Sequence, residues 1–567
     1  MTDTLEKKAP ASRGDGKVAL EDRSDGSGKR PAEPAGGEPF IRRFGRAAGR
    51  FARAHMPFLV LTGAAIVLRV LVSLAFRPSL MFVGDSYGYL LRATEIRPGI
   101  VRPSLYPLFL APFQRANWVG WVPVIQHGMG ILMGIGIYAL LRRLGIGKWT
   151  AAIGAAPIML DAYQLNIEQF IMAETLFGVL MVGAVLLVAW PKKTSPVACF
   201  GAGALLAGAA LTRGVGLALV VPVFVYILLR QGSWIRRGLS FGAAAVALAI
   251  PLMLYASWFQ SLNGSYAISG YDGYFLYGRV ATFADCNRSQ IPAPERVLCD
   301  PRPASQRPFA NFYVWNSQSP VHRLPAENEI QVSGILKDFS VRVIKHQPLD
   351  YLGVVVHDFL HFFAPGHYTS SQDEPVQMWQ FAPAMPILEH IYLAIPPCLS
   401  HYTAGCDPAQ SVCFHGSPDC LDLLEQPPPS RGLAEFLRGY QRVGYTPGPL
   451  LAVALILGLV GLWGQPRVRG RPLRAESFLF VSLGVVMLLI PVMTVMFDYR
   501  YMVPALALLP PAGLIGGTVI ARRLQDRWGR ESSVKPARTA TVRSKPTDAD
   551  KKSDERESRP VLPAETP

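Results

Sequence analysis

The stretch Gly84-Asp85-Ser86-Tyr87-Gly88-Tyr89 sets a single carboxylate among aromatic rings, and the chain continues into Arg102-Pro103-Ser104-Leu105-Tyr106-Pro107-Leu108-Phe109. A carboxylate so placed can take a proton from a hydroxyl or cap the helix that follows it. Arg213 separates two apolar runs, Arg500 opens the last one, and Arg102 lies in the loop after Asp85. Their planar donor forks suit phosphate oxygens, and reaching out to lipid headgroups is the plainer alternative. Arg69 and Glu174 lie inside apolar runs, about 9–11 Å from the nearer end at ~1.5 Å per residue. An isolated charge at that depth costs at least about 2.5 kcal/mol, so the two are expected to face the bundle interior and pair with each other.

These residues need a membrane to stand in. Half of the 567 residues are apolar and only 17% are charged, which excludes an ordinary soluble globular chain. Runs long enough to cross ~30 Å of hydrocarbon fall at 57–76, 118–141, 149–165, 169–190, 196–212, 214–230, 238–259, 446–464, 477–496 and 502–521. The expected fold is an all-α multi-span domain of about ten transmembrane helices, with a mixed extracytoplasmic domain inserted between the seventh and the eighth. Its parts are a disordered basic tail 1–54, a membrane core 55–259 containing the first outer loop 77–117, the inserted domain 260–445, three further spans 446–521, and a disordered tail 522–567. No cleavable signal peptide is read, because the first apolar stretch begins near Met56 and is long enough to span.

The basic clusters test the count. Arg42 to Arg53 precede the first span, Arg142, Arg143 and Lys148 follow the second, and Lys192 and Lys193 follow the fourth. Arg230, Arg236 and Arg237 follow the sixth, Arg467 to Arg474 the eighth, and Arg522, Arg523 and Arg527 the tenth. Ten spans put every cluster on one side, with both termini cytoplasmic and the loop of Asp85 outside the cell membrane. The net charge of +16 is therefore read as topology, and no nucleic-acid partner is expected.

Six of the seven cysteines, Cys286, Cys299, Cys398, Cys406, Cys413 and Cys420, fall in the outer segment, where disulfides are the default. Separations of seven or eight residues from Cys398 to Cys420 lack the short paired spacing of a zinc site. His357-Asp358-Phe359-Leu360-His361 approaches a zinc-protease pattern, but Asp stands where a Glu is needed. The flanking residues read as an amphipathic helix.

The loop motifs, together with Met172-Ala173-Glu174-Thr175-Leu176-Phe177, Leu211-Thr212-Arg213-Gly214 and Asp498-Tyr499-Arg500-Tyr501, resemble the multi-span glycosyltransferases that use polyprenyl-phosphate sugars, such as protein O-mannosyltransferases and lipid A aminoarabinose transferases. The resemblance covers roughly 57–260 and 446–521. It implies a hexosyl- or pentosyltransferase with a polyprenyl-phosphate-linked sugar as donor, membrane lipids around it, and a protein, lipid or glycan acceptor. Asp85 would be the general base, Arg102, Arg213 and Arg500 would hold the donor phosphate, and Tyr89, Tyr106, Glu174, Arg69 and Tyr501 would line the substrate cavity. Protein O-mannosyltransferases carry an Asp-Glu pair in this loop, and the second position here is Ser86, so donor and acceptor do not carry over from that branch. No cofactor is assigned and no metal ligand is named. A divalent metal stays open, although the lack of a second nearby acid argues against a tight site.

Two other classes compete. A transporter or flippase would use intramembrane charge, but no internal repeat relates the halves. A polysaccharide ligase or polymerase of the cell envelope would place arginines and a histidine, rather than an early Asp, in an outer loop. Single cysteines placed at positions 100 and 270 should label with a membrane-impermeant thiol reagent in intact cells, and one at 470 should not. Labelling at 470 would break the helix count.

Overall fold

The computed structural model describes residues 40–531 apart from 83, 327, 371–372, 384, 387–424, 427, 464–466 and 469–470. Most of both tails, and Cys398, Cys406, Cys413 and Cys420, lie outside the described residues. Two units divide at Met56 and Pro57. Before that boundary the described residues form the first turns of helix Phe40–Ala75, and the elements below belong to the second unit.

Each apolar run falls on helical structure. Ala48–Ala75, Val119–Arg143, Trp234–Asn263 and Arg474–Thr494 are long and apolar enough to cross a membrane, and Tyr499–Ala507 with Leu509–Asp526, bent by 44°, makes a fifth. Glu174–Ala189, Pro196–Thr212, Gly214–Leu229 and Gly448–Leu462 are shorter apolar helices. The chain is thus a mostly helical, multi-pass membrane protein. By length and hydropathy the described residues give four or five spans, because the other apolar helices are shorter. Lys148–Leu160 stops at Asp161, whose carboxylate accepts from the Tyr163 and Gln164 amides of the next helix. Its 13 residues extend only about 20 Å. Arg213 ends Pro196–Thr212 in extended backbone.

Basic residues that follow the second, sixth and tenth runs reach the ends of neighbouring runs. Arg143 donates to the Trp190 carbonyl at 2.5 Å, Arg230 meets Glu476 at 2.7 Å and also the Pro191 carbonyl, and Arg523 donates to the Trp463 carbonyl at 2.7 Å. The second, fourth, sixth, eighth and tenth runs therefore share an end, as the charge pattern requires.

The inserted stretch is not one block. Residues 271–343 have their own core of Tyr271, Tyr274, Tyr277, Tyr313 and Phe339, while Val355, Phe362, Val376, Trp379, Phe381, Ala434 and Leu437 pack into the membrane core. Its regular structure among the described residues is helical, apart from a two-residue ladder of Met385–Pro386 with Glu425–Gln426. The tyrosines are buried: Tyr271 stacks on Tyr274 at 4.1 Å, and Tyr277 donates to the Leu298 carbonyl at 2.8 Å. They pack the core of this stretch. Cys286 and Cys299 are joined, with Cα atoms 6.1 Å apart, and Cys199 is a buried free thiol.

Helix Asp272–Ala281 meets helix Glu329–His346 at Gly273, whose amide donates to Ser333 Oγ at 3.1 Å. A Cβ there would overlap the Ser333 carbonyl oxygen. Gly273→Ala should therefore destabilise this core by about 1–3 kcal/mol, the usual cost of overpacking, seen as a lower unfolding midpoint in detergent. Gly334→Ala, where a Cβ meets nothing within 4 Å, should be neutral or slightly stabilising, since alanine favours helix.

Candidate active site

Asp85 opens helix Asp85–Thr94 after Gly84, whose φ of 85° is one that glycine adopts without strain. The Asp85 side chain makes no capping hydrogen bond. Instead Arg102 grips it with two, Nε to Oδ1 and Nη2 to Oδ2, both 3.0 Å. Arg500 Nη1 adds a third to Oδ2 at 3.0 Å. Arg500 comes from the far end of the chain, on the irregular turn Tyr499–Ala507 that follows helix Arg474–Thr494.

The rest of the cluster assembles from helix ends. Arg213, at the C-terminus of Pro196–Thr212, pairs closely with Glu174, the first residue of Glu174–Ala189. Arg500 Nη1 lies 3.9 Å from the same Glu174 oxygen, and Arg500 Nε lies 2.8 Å from Asp498. Tyr501 stands between two guanidiniums, with Arg213 at 5.9 Å and Arg500 at 5.2 Å from its ring centre. Trp379 and Phe82 flank Arg500 at 5.2 and 5.6 Å. Three arginines thus face three carboxylates in a largely buried site. Burial alone would raise the Asp85 carboxyl, but Arg102, Arg500 and Arg213 outweigh it and hold it below the usual carboxylate value.

Tyr89 and Tyr106 lie under this cluster as an edge-on pair 4.9 Å apart, and the Tyr106 hydroxyl donates to Gln126 Oε1 at 2.8 Å. Both are buried. Arg69 is elsewhere, which corrects the expected pairing with Glu174. Its Nε and Nη2 reach Glu168 at 2.9 Å, and His127 Nδ1 meets the same carboxylate at 2.8 Å. Glu168 wins because helix Ala162–Gln169 turns it inward, whereas Glu174 faces Arg213. Arg69 and His127 line a cavity of about 930 Å³ between the first two long helices, and none of Asp85, Arg102, Arg213 and Arg500 lines it. Asp161 and Glu168 are both held in hydrogen bonds, Asp161 also accepting from the Thr446 amide at 2.6 Å.

The His357–His361 stretch is a helix, Pro348–His361. Asp358 pairs with Arg279 at 2.8 Å, His357 is exposed, and His361 is stacked between Tyr368 and Phe497 at 4.1 and 4.0 Å. No group of three metal-binding side chains occurs among the described residues.

Two acids of the site escaped the sequence reading. Asp498 was visible inside Asp-Tyr-Arg-Tyr but not singled out. Glu374 carried no motif, and it is the segment ending in Trp379 that brings it to the cluster. It accepts from Asn311 Nδ2 at 2.5 Å. Burial pushes its carboxyl up to about 7, Asp498 and Asp85 push the same way, and Arg500 and the Asn311 hydrogen bond oppose them.

No protein-family model matches this sequence, and no curated protein matches it. Among solved structures it is similar to the Saccharomyces cerevisiae protein O-mannosyltransferase Pmt1–Pmt2 complex bound to the sugar donor, at 18% identity and TM-score 0.30, over 44% of this chain and 37% of that one. It is similar to the oligosaccharyltransferase AglB from Archaeoglobus fulgidus with an inhibitory peptide and a dolichol-phosphate, at 11% identity and TM-score 0.38, over 85% and 52%. A third is ArnT from Cupriavidus metallidurans bound to undecaprenyl phosphate, at 14% identity and TM-score 0.29, over 84% and 81%. The chain spans about a third and about half of the first two. Protein O-mannosyltransferases are one of the families that the loop motifs resemble.

Glu374 gives a pH test. Its folded value of about 7 stands above the ordinary 4.5, so between these the native state holds the extra proton. The associated stabilisation is complete below about 4.5 and lost as pH rises through about 7. Glu374→Gln should therefore gain stability relative to wild type between about pH 5 and about pH 8. A melting difference that stays flat across this range would rule out the buried, raised carboxyl.

Proposed function

We propose that this protein is a glycosyltransferase that moves a sugar from a polyprenyl-phosphate donor to a hydroxyl of a protein, lipid or glycan acceptor outside the cell membrane. The observation that carries this is the convergence of Arg102, Arg213 and Arg500 around Asp85. It joins phosphate-binding forks to a carboxylate that can act as base. In the reaction the acceptor hydroxyl oxygen forms a bond to the sugar's anomeric carbon, and the bond from that carbon to the phosphate oxygen breaks. Its electron pair leaves on the polyprenyl phosphate, and the hydroxyl proton passes to Asp85. Phosphate is already a good leaving group, so the arginines need only meet its growing charge.

The shorter helices complete about ten crossings in this reading, with both termini cytoplasmic. The inserted segment lies over the site mouth, where it would select acceptors. Tyr89 and Tyr106 support the loop that carries Asp85, and Tyr501 and Glu174 set the orientations of Arg213 and Arg500. Arg69 has a structural role instead.

Asp85→Asn exchanges the carboxylate for an amide of nearly equal size. Turnover should fall by ~10²–10⁴, the usual contribution of a general base. Retention of more than about a third of wild-type transfer, far above that ~10²-fold minimum loss, would remove Asp85 from this role. Arg213→Ala should raise KM for the donor and lower kcat together, because the phosphate is charged before transfer and gains charge during it. A panel of radiolabelled polyprenyl-phosphate sugars assayed in membranes tests the reaction and identifies the sugar.

A further inference from the structure

Arg102 presents its flat two-pronged edge wholly to Asp85, and Arg500 gives Asp85 its Nη1 while Nε faces Asp498. A phosphate seeks the same edge in the same two-pronged geometry. The carboxylate is therefore a competitor for the groups that would hold the donor. Asp85, Glu174 and Asp498 also balance the three arginines in formal charge, so no positive charge is left over to attract an anion while Asp85 keeps its grip.

We infer that Asp85 and the donor phosphate bind the arginine pair in mutually exclusive fashion, so that donor binding releases the base. The inference rests on the transferase reading and adds an order of events to it. Held by both arginines, the carboxylate is a poor proton acceptor. An arriving polyprenyl phosphate takes over the Arg102 edge and the Arg500 Nη1, and Asp85 swings free, with fewer hydrogen bonds holding its charge. A carboxylate relieved of such bonds is a stronger base. The acceptor hydroxyl is thus activated only when a donor is present.

The geometry also fixes the sign of a binding change, and the Arg102→Ala background separates competition for that arginine from simple charge repulsion. Binding of farnesyl phosphate to the full-length protein in nanodiscs should be tighter for Asp85→Asn than for wild type, by about tenfold and within the ~5–150-fold range of ordinary coupling. The amide holds arginine more weakly and carries no charge to repel the ligand. Arg102→Ala should bind more weakly than wild type, and adding Asp85→Asn to it should recover less than Asp85→Asn gains alone. Infrared difference spectra of the wild type should show a carboxylate band shifting when farnesyl phosphate is added, and Asp85→Asn should lack it. This second readout does not depend on the variant keeping wild-type stability, because the shift is seen in the native chain. Equal or weaker binding by Asp85→Asn, or no carboxylate shift in the wild type, would overturn the exclusion while leaving the transferase reading intact. Saturable binding by none of the proteins would overturn both.

Discussion

Buried positive charge at a helix end must meet negative charge, and the cluster around Arg500 is where this chain satisfies that demand. Arg500 touches or approaches Asp85, Asp498 and Glu174, and Arg213 and Arg102 complete the balance. Removing one partner of a buried pair costs about 3–5 kcal/mol, because the other charge is left without compensation. Five separate pieces of chain must therefore arrive together: the loop after the first long helix, the start of Glu174–Ala189, the end of Pro196–Thr212, the turn after Arg474–Thr494, and the segment carrying Trp379. A charge network that stabilises this convergence is also, with its arginine forks, a set of donors for an anion. Structure and proposed chemistry draw on the same groups.

A second buried network does different work. Glu168 takes two hydrogen bonds from Arg69, one from Gln164 and a contact from His127, and Gln126 donates to the Glu168 and Phe170 carbonyls at 2.8 and 2.6 Å. Gln169 reaches back to the Phe76 carbonyl at 2.8 Å. These bonds tie helix Ala162–Gln169 to the first two long helices and close the backbone groups of a broken segment that would otherwise lie unpaired in hydrocarbon. The Asp161 contact with the Thr446 amide then joins the end of the inserted stretch to the same platform. The Asp85 cluster stands beside this base without sharing its charges.

The inserted stretch folds in two ways. Residues 271–343 build a small core of their own, closed by the Cys286–Cys299 bridge. The next residues do not continue that core but pack downward, with Trp379 and Phe381 in the membrane cluster. This arrangement delivers Glu374 beside the arginines. It also explains why an acid from the least informative part of the sequence stands next to the most informative.

Local chemistry alone determined the helical runs and the gathering of basic residues at one end of the bundle, and it drew attention to Asp85, Arg102, Arg213 and Arg500. Hydrophobic length, charge bias and motif order are all properties of neighbours along the chain. Partners across the chain were a different matter. Arg69 and Glu174 lie at similar depth, yet each pairs with another residue, because depth says nothing about which face of a helix a side chain occupies. The break at Asp161 divides an apolar run that hydropathy counts as a whole span, since one capping carboxylate outweighs the average of its neighbours. Glu374 and the Arg500 bond to Asp85 needed tertiary structure. Their chemistry comes from groups 63 and 415 residues away in sequence, and only the folded chain sets those distances.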